Sequence, residues 1–258
     1  MNRNSNSYVL IFATGMCVAV SAVLAFLANQ LKPTQEAAAE FDRQKNVMIA
    51  AGLCRADDPR SRAELEKLYQ ERVLERLVDT KTGTSLDSDK LASLLPGKAE
   101  LPLAKKAELL NKEAVKANKA DEARYRVVAT TKSDGKVESY VLPISGKGLW
   151  STLFGYLAIG SDKNTVRGIT FYKHGETPGL GGEVENPKWT AQWQGKMIRD
   201  EAGKLVSITV KKGQVDPANP REKAHYVDGL SGATITCNGV NNFVRKDLQA
   251  FADYLEKN

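Results

Sequence analysis

Between Tyr8 and Ala28 the chain reads "YVLIFATGMCVAVSAVLAFLA" without a charge. That is about 21 residues, roughly what a helix needs to cross the hydrocarbon core of a bilayer. No other stretch constrains the fold so strongly, because backbone in lipid must satisfy its own hydrogen bonds and a lone span does so only as a helix. Arg3 precedes the run and Lys32 follows it, while Glu36, Glu40, Asp42 and Arg43 mix signs beyond. The flanking charge bias is therefore weak. "VLA" at Val23–Ala25 has the small residues of a signal-peptidase site, but the apolar stretch outruns a usual signal core, and Cys17 has no lipoprotein setting. The expectation is an uncleaved anchor with the N-terminus inside: residues 1–32 as tail and span, residues 33–258 as an extracytoplasmic domain.

Composition bounds that domain. The chain has 258 residues, 42% hydrophobic and 26% charged, which is globular usage. A net charge of +6 invites a nucleic-acid reading. However, basic and acidic residues alternate, as in "LAKKAELLNKEAVKANKADEARYR" (Leu103–Arg126), with no basic run interleaved with aromatics. Such mixed faces are solvated helices, and no nucleic-acid partner is expected. Cys17, Cys54 and Cys237 show no Cys-x-x-Cys spacing, so no metal or iron–sulfur site is expected, and Cys54 and Cys237 read as unpaired buried thiols.

The order of elements is α first, then β. Pro33 is expected to break the chain out of the membrane, followed by a helix over Thr34–Leu53 that ends near Gly52. A second helix is expected from Ser61 to about Val78, with Leu65, Leu68, Tyr69, Val73 and Leu77 at helical spacing. "TKTG" and "SLLPGKAELP" punctuate. Past residue 123, "RYRVVAT", "VESYVLPI", "LFGYLAI", "TVRGITFYKH" and "KLVSITVKK" are strand-like. Asp134-Gly135 marks a hairpin. A last helix is expected from about Asn238 to Leu255. The class is thus α+β: a helical part over 33–123, then a part over 124–258 with a mainly antiparallel sheet flanked by helices.

"YVDGLSGATITCNG" (Tyr226–Gly239) crowds small and hydroxyl side chains before that last helix. "GLSGA" approaches the G-x-S-x-G nucleophile elbow, yet that arrangement needs a His after the Ser, and His174 and His225 both precede Ser231. "HGE" (His174–Glu176) echoes the H-x-E of zinc deaminases without their P-C-x-x-C. A phosphate seat fits better, since Gly232 and Ala233 admit an anion to the backbone and the next helix offers free N–H groups. The competing reading makes the glycines a turn and Thr236 an N-cap.

"DGLSGATIT" resembles the flavinylation motif of extracytoplasmic FMN-binding domains, Asp-x-x-Ser-Gly-Ala-Thr, with Asp228, Ser231, Gly232, Ala233 and Thr234 matching position by position. The resemblance extends over nearly the whole chain. The N-terminal span, "DRQKNVMIAAGL", "GKGLWSTLFGYLAI", "HGETPGLGGEV" and "NPKWTAQWQGK" are similar to the NqrC family, flavin subunits of the sodium-translocating NADH:quinone oxidoreductases. The Rnf electron-transport complexes contain a homologous flavin subunit, but "DRQKNVMIAAGL" and "HGETPGLGGEV" fit the NqrC branch better.

The resemblance implies one FMN per chain, joined through its phosphate to the Thr234 hydroxyl by a separate flavin transferase. It also implies single-pass residence in a bacterial inner membrane with the domain on the periplasmic side. The partners would be the other subunits of the complex, between which the chain relays electrons with no catalytic residue of its own. Ser231, Gly232, Ala233 and Thr236 would line the phosphate. Trp150 and Leu180 resemble the residues packing on the flavin ring, and Glu176 and Thr177 are candidate contacts to its polar edge. The alternatives are an Rnf-type flavin subunit, or a membrane-anchored binding or assembly protein without a redox group.

Overall fold

The computed structural model describes residues 6–116 and 124–258. The elements in chain order are α1 (Asn6–Ala51), α2 (Arg62–Arg72), β1 (Val73–Asp79), β2 (Thr84–Leu86), α3 (Ser88–Leu94), α4 (Leu103–Lys116), β3 (Tyr125–Ser133), β4 (Lys136–Lys147), β5 (Thr152–Gly160), β6 (Val166–Lys173), α5 (Pro187–Thr190), β7 (Thr209–Val210), α6 (Pro220–His225), β8 (Tyr226–Val227) and α7 (Thr234–Lys257). Short 3-10 turns at Gly181–Glu185 and Ala191–Trp193 flank α5.

The chain divides into two units, one ending at Arg43 and one spanning Gln44–Asn258. In the first, the apolar side chains from Val9 to Leu31 face outward, as they do on a helix solvated by lipid rather than by a core. It is the one helix among the described residues long and apolar enough to cross a membrane, by length and composition; Arg3 lies outside the described residues. Pro33 does not break this helix. It forfeits one amide bond, and the turns on either side carry the helix through, as spanning helices often allow. α1 stops instead at Gly52, whose φ of 77° lets Gly52 N–H bond the Ile49 carbonyl and Leu53 N–H bond the Met48 carbonyl. That pair of bonds is a Schellman cap.

The second unit is built on a six-stranded antiparallel sheet in the order β2-β1-β3-β4-β5-β6. Asp134 and Gly135 turn between β3 and β4 with φ of 50° and 77°, the type I′ hairpin their sequence predicts. Ser61 and Glu64 cap α2 reciprocally. The helix expected to reach Val78 ends at Arg72, however, and Val73–Asp79 pairs along Tyr125–Thr131. Val73 and Leu77 are four apart, a spacing that shares one face of a strand as readily as one face of a helix. Long-range pairing decided between them. Likewise "KLVSITVKK" supplies only the two residues of β7, paired in parallel with β8. The division expected at residue 123 falls among residues outside the described set.

α7 covers the sheet. Val240, Phe243, Val244, Leu248, Phe251 and Leu255 bury against Leu142, Ile144, Leu153, Leu157 and Ile159 in one core. Each such side chain contributes roughly 1.5–3 kcal/mol relative to exposure. One buried polar bridge registers the helix on the sheet. Asp247 accepts from Arg126 Nη1 at 2.6 Å and from the Ser145 amide at 2.8 Å. Burial pushes its carboxyl up, against the downward pull of the guanidinium and the amide. Cys54 and Cys237 are buried and unpaired, as the sequence suggested.

Candidate functional site

α7 begins at Thr234, four residues before its expected start. Thr236 is therefore not the N-cap. It sits in the first turn with its hydroxyl buried, donating to Glu176 Oε2 at 2.6 Å. Ala233 occupies the capping position and offers no side-chain acceptor, so the first amides of this 24-residue helix have no side-chain cap. Ser231, Gly232 and Thr234 are exposed just ahead of or on that turn. An exposed hydroxyl at the positive end of a long helix is reachable by a modifying protein and suited to carry an anion.

The turn before α7 is held from behind. The Asp228 carbonyl accepts from Trp189 Nε1 at 2.8 Å, its amide donates to Gln192 Oε1 at 2.9 Å, and its Oδ1 accepts from the Val215 amide at 2.7 Å. Trp189 and Trp193 lie in the core, so the motif is tied to a rigid base. Nothing in the spacing of Gln192 or Val215 announced this; only the folded chain brings these distant positions into one knot.

Gly232 has φ of 71°, and a Cβ there would lie 2.7 Å from Leu180 Cδ2. A side chain at 232 would meet both a strained backbone and the apolar side chain of Leu180. This contact brings the "PGLGG" loop to the motif. The loop between β4 and β5 joins them through Glu176: its Oε1 accepts from the amides of Trp150 (2.9 Å) and Ser151 (3.0 Å), and its Oε2 from that of Leu149 (3.1 Å). Burial alone would raise this carboxyl. The bonds from the Thr236 hydroxyl and the three amides outweigh it and hold the group below the ordinary glutamate value. His174, beside it, accepts the Glu176 amide at Nδ1 (3.3 Å) and meets Glu185 through Nε2 (3.3 Å).

Trp150 is 70% exposed, so it is not a core tryptophan. Leu149, Leu180 and Ile235 are exposed as well. These four large apolar side chains lie on the segments that Glu176, Thr236 and Gly232 bring together beside the exposed Thr234. Apolar side chains gathered around a few oriented polar groups are what a flat, mostly apolar ring with a phosphate tail requires. Thr177 is exposed; its carbonyl takes the amides of Leu180 and Gly182, shaping the loop. A separate groove of about 1000 Å³, lined by residues such as Arg199, Arg221, His225 and Arg245, includes none of these.

The fold behind the apolar N-terminal helix is that of the FMN-binding domain class, whose family model residues 148–249 match. The NqrC component of the Na(+)-translocating NADH-quinone reductase of Pseudomonas aeruginosa is 41% identical over 94% of this chain and 91% of its own length. That of Pasteurella multocida is 39% identical over 99% and 95%. The chain belongs to this NqrC family of Na(+)-translocating NADH-quinone reductase subunits. The crystal structure of Shewanella oneidensis NqrC covers 86% of this chain and all of its own, with a TM-score of 0.66 at 29% identity. The corresponding structure from Parabacteroides distasonis covers 87% and 96%, with a TM-score of 0.64 at 27% identity.

Proposed function

We propose that this chain is the electron-carrying NqrC component of a sodium-translocating NADH:quinone reductase, with one FMN joined by a phosphoester to Thr234. The observation that carries the attachment point is the exposed Thr234 on the first turn of α7, beside the exposed Ile235 and on the helix whose Thr236 is bonded to the loop that holds Leu149 and Trp150 through Glu176. Anchored through α1, the domain stands on the periplasmic side of the inner membrane and works among the other subunits of the complex. A separate flavin transferase makes the bond.

The residues divide the work simply. Thr234 holds the phosphate, Ser231 donates to it, and Gly232 and Ala233 keep the approach free of bulk. The α7 N-terminus favours the negative charge by roughly 0.3–1 kcal/mol. That alone is under tenfold in affinity, so retention falls to the covalent bond. Trp150 and Leu180 flank the ring and exclude water from it. Bound this way, FMN supplies reversible electron transfer on a ring whose electronics the surrounding residues set.

The test is the mass of the peptide containing Ser231–Cys237 from membrane protein made alongside its transferase. Addition of FMN on Thr234 is expected. A colourless protein with an unmodified peptide would sink the reading in favour of an anchored binding protein.

A further inference from the structure

Glu176 is only 5% exposed, and what surrounds it is unusual for a cofactor contact. Five donors converge on its two oxygens: the amides of Leu149, Trp150 and Ser151, the Ser151 hydroxyl at 3.4 Å, and the Thr236 hydroxyl. A carboxylate offers about four lone-pair positions, and all are engaged within the protein. The neighbouring backbone is pared back to admit it. A Cβ on Gly148 would lie 2.8 Å from Oε1, and one on Gly181 2.8 Å from Oε2 and 2.7 Å from Thr236 Oγ1. Ser151 adds a tie of its own, its Oγ accepting the Gly175 amide at 2.7 Å.

The two segments so joined are distant in sequence and adjacent in role. One carries Trp150, whose indole is mostly exposed, and whose loop is therefore not fixed by burial of that side chain. The other carries Thr234, two residues before Thr236. We propose that Glu176, acting with Thr236, is a positioning residue that locks the Gly148–Ser151 loop to the first turn of α7 and so sets Trp150 against whatever Thr234 carries. The proposal rests on Thr234 as the attachment point, and it moves Glu176 from the flavin's polar edge to the support beneath the site. A glutamine cannot replace it, because its NH2 group faces donors and strands those that had bonded the lost oxygen.

The experiment pairs Glu176→Gln with Thr236→Val and reads two signals. In flavin-free protein, amide hydrogen exchange at Leu149, Trp150 and Ser151 is expected to quicken about tenfold or more in Glu176→Gln, with Leu142 and Leu157 in the sheet unchanged. In flavin-loaded protein, Thr236→Val, which removes only the α7 side of the clamp, is expected to move the flavin absorption and midpoint potential in the same direction as Glu176→Gln. A flavin shift in Glu176→Gln with normal exchange at the three amides would overturn the proposal and make Glu176 a direct flavin contact. Fast exchange with an unaltered flavin in both variants would overturn it in favour of loop stability alone. If Glu176→Gln does not fold, Thr236→Val decides by the flavin signal. Peptide mass on the unmutated protein is read in parallel: FMN found away from Thr234 removes the attachment reading, while the exchange data still decide the clamp.

Discussion

Large apolar side chains are exposed in two places, and for different reasons. Along α1, Val9, Ile11, Val18, Leu24 and Leu31 point outward on every side of one helix. At the site, Leu149, Trp150, Leu180 and Ile235 come from three separate segments that the fold ties together through Glu176, Thr236 and Gly232. The first pattern is continuous, local and without a charge, and it answers to a uniform solvent such as lipid. The second is small, assembled by the fold and mixed with oriented amides, and it answers to one molecule of defined shape. An exposed apolar surface thus records a missing neighbour, and its texture tells which kind.

The sharpest way to break this comparison is to remove the hydroxyl beside the second patch. Thr234→Ala is expected to give folded, membrane-bound protein with no covalent flavin even beside its transferase, while Thr236→Ala retains FMN mass on Thr234. Flavin mass surviving in Thr234→Ala would remove the hydroxyl from the account.

Next in size is the lipid-facing patch. Val18→Arg places a charge mid-span at a cost of roughly 2.5–3.5 kcal/mol, and membrane fractionation should find much of the protein released. N-terminal sequencing of the mature wild-type protein is expected to find the span retained; a start just after Ala25 would make it a cleaved signal.

A pair of aromatic truncations separates both patches from the core. Phe251, fully buried on the sheet-facing side of α7, should cost roughly 3–5 kcal/mol of unfolding free energy as Phe251→Ala. Trp150→Ala should stay within about 0.5 kcal/mol, yet shift the flavin absorption or potential with the covalent bond intact. Equal destabilisation by the two would return Trp150 to the core.

The smallest effect concerns pH. The Glu176 carboxyl is held below its ordinary 4.5, so the unfolded chain binds its proton more readily than the folded one. Its contribution is therefore complete above about pH 4.5 and lost as pH falls through the lower folded value. Amide exchange at Leu149–Ser151, corrected for intrinsic rates, should hold steady from neutral pH down to that range and accelerate only below it. Acceleration near neutrality would mean the protection comes from another group.

Much of the molecule was legible from local sequence because its causes are local. An uncharged run long enough to span lipid has one backbone solution. Asp134-Gly135 takes the two positive φ values a tight hairpin demands, and Gly52 closes a helix in the one conformation that caps it. The linear order of Asp228, Ser231, Gly232, Ala233 and Thr234 was enough to suggest what they carry. Tertiary structure decided the rest. Spacing left Val73 and Leu77 compatible with helix or strand until β3 supplied a partner. Whether Trp150 was core or rim depended on neighbours far along the chain. Thr236 looked like a cap and proved to be half of a bond to Glu176, sixty positions earlier. Glu176 itself carries nothing in its own neighbourhood that says its oxygens will be filled by five donors from two other segments. A residue's identity limits what it can bond, but only the packed chain determines which groups come within reach.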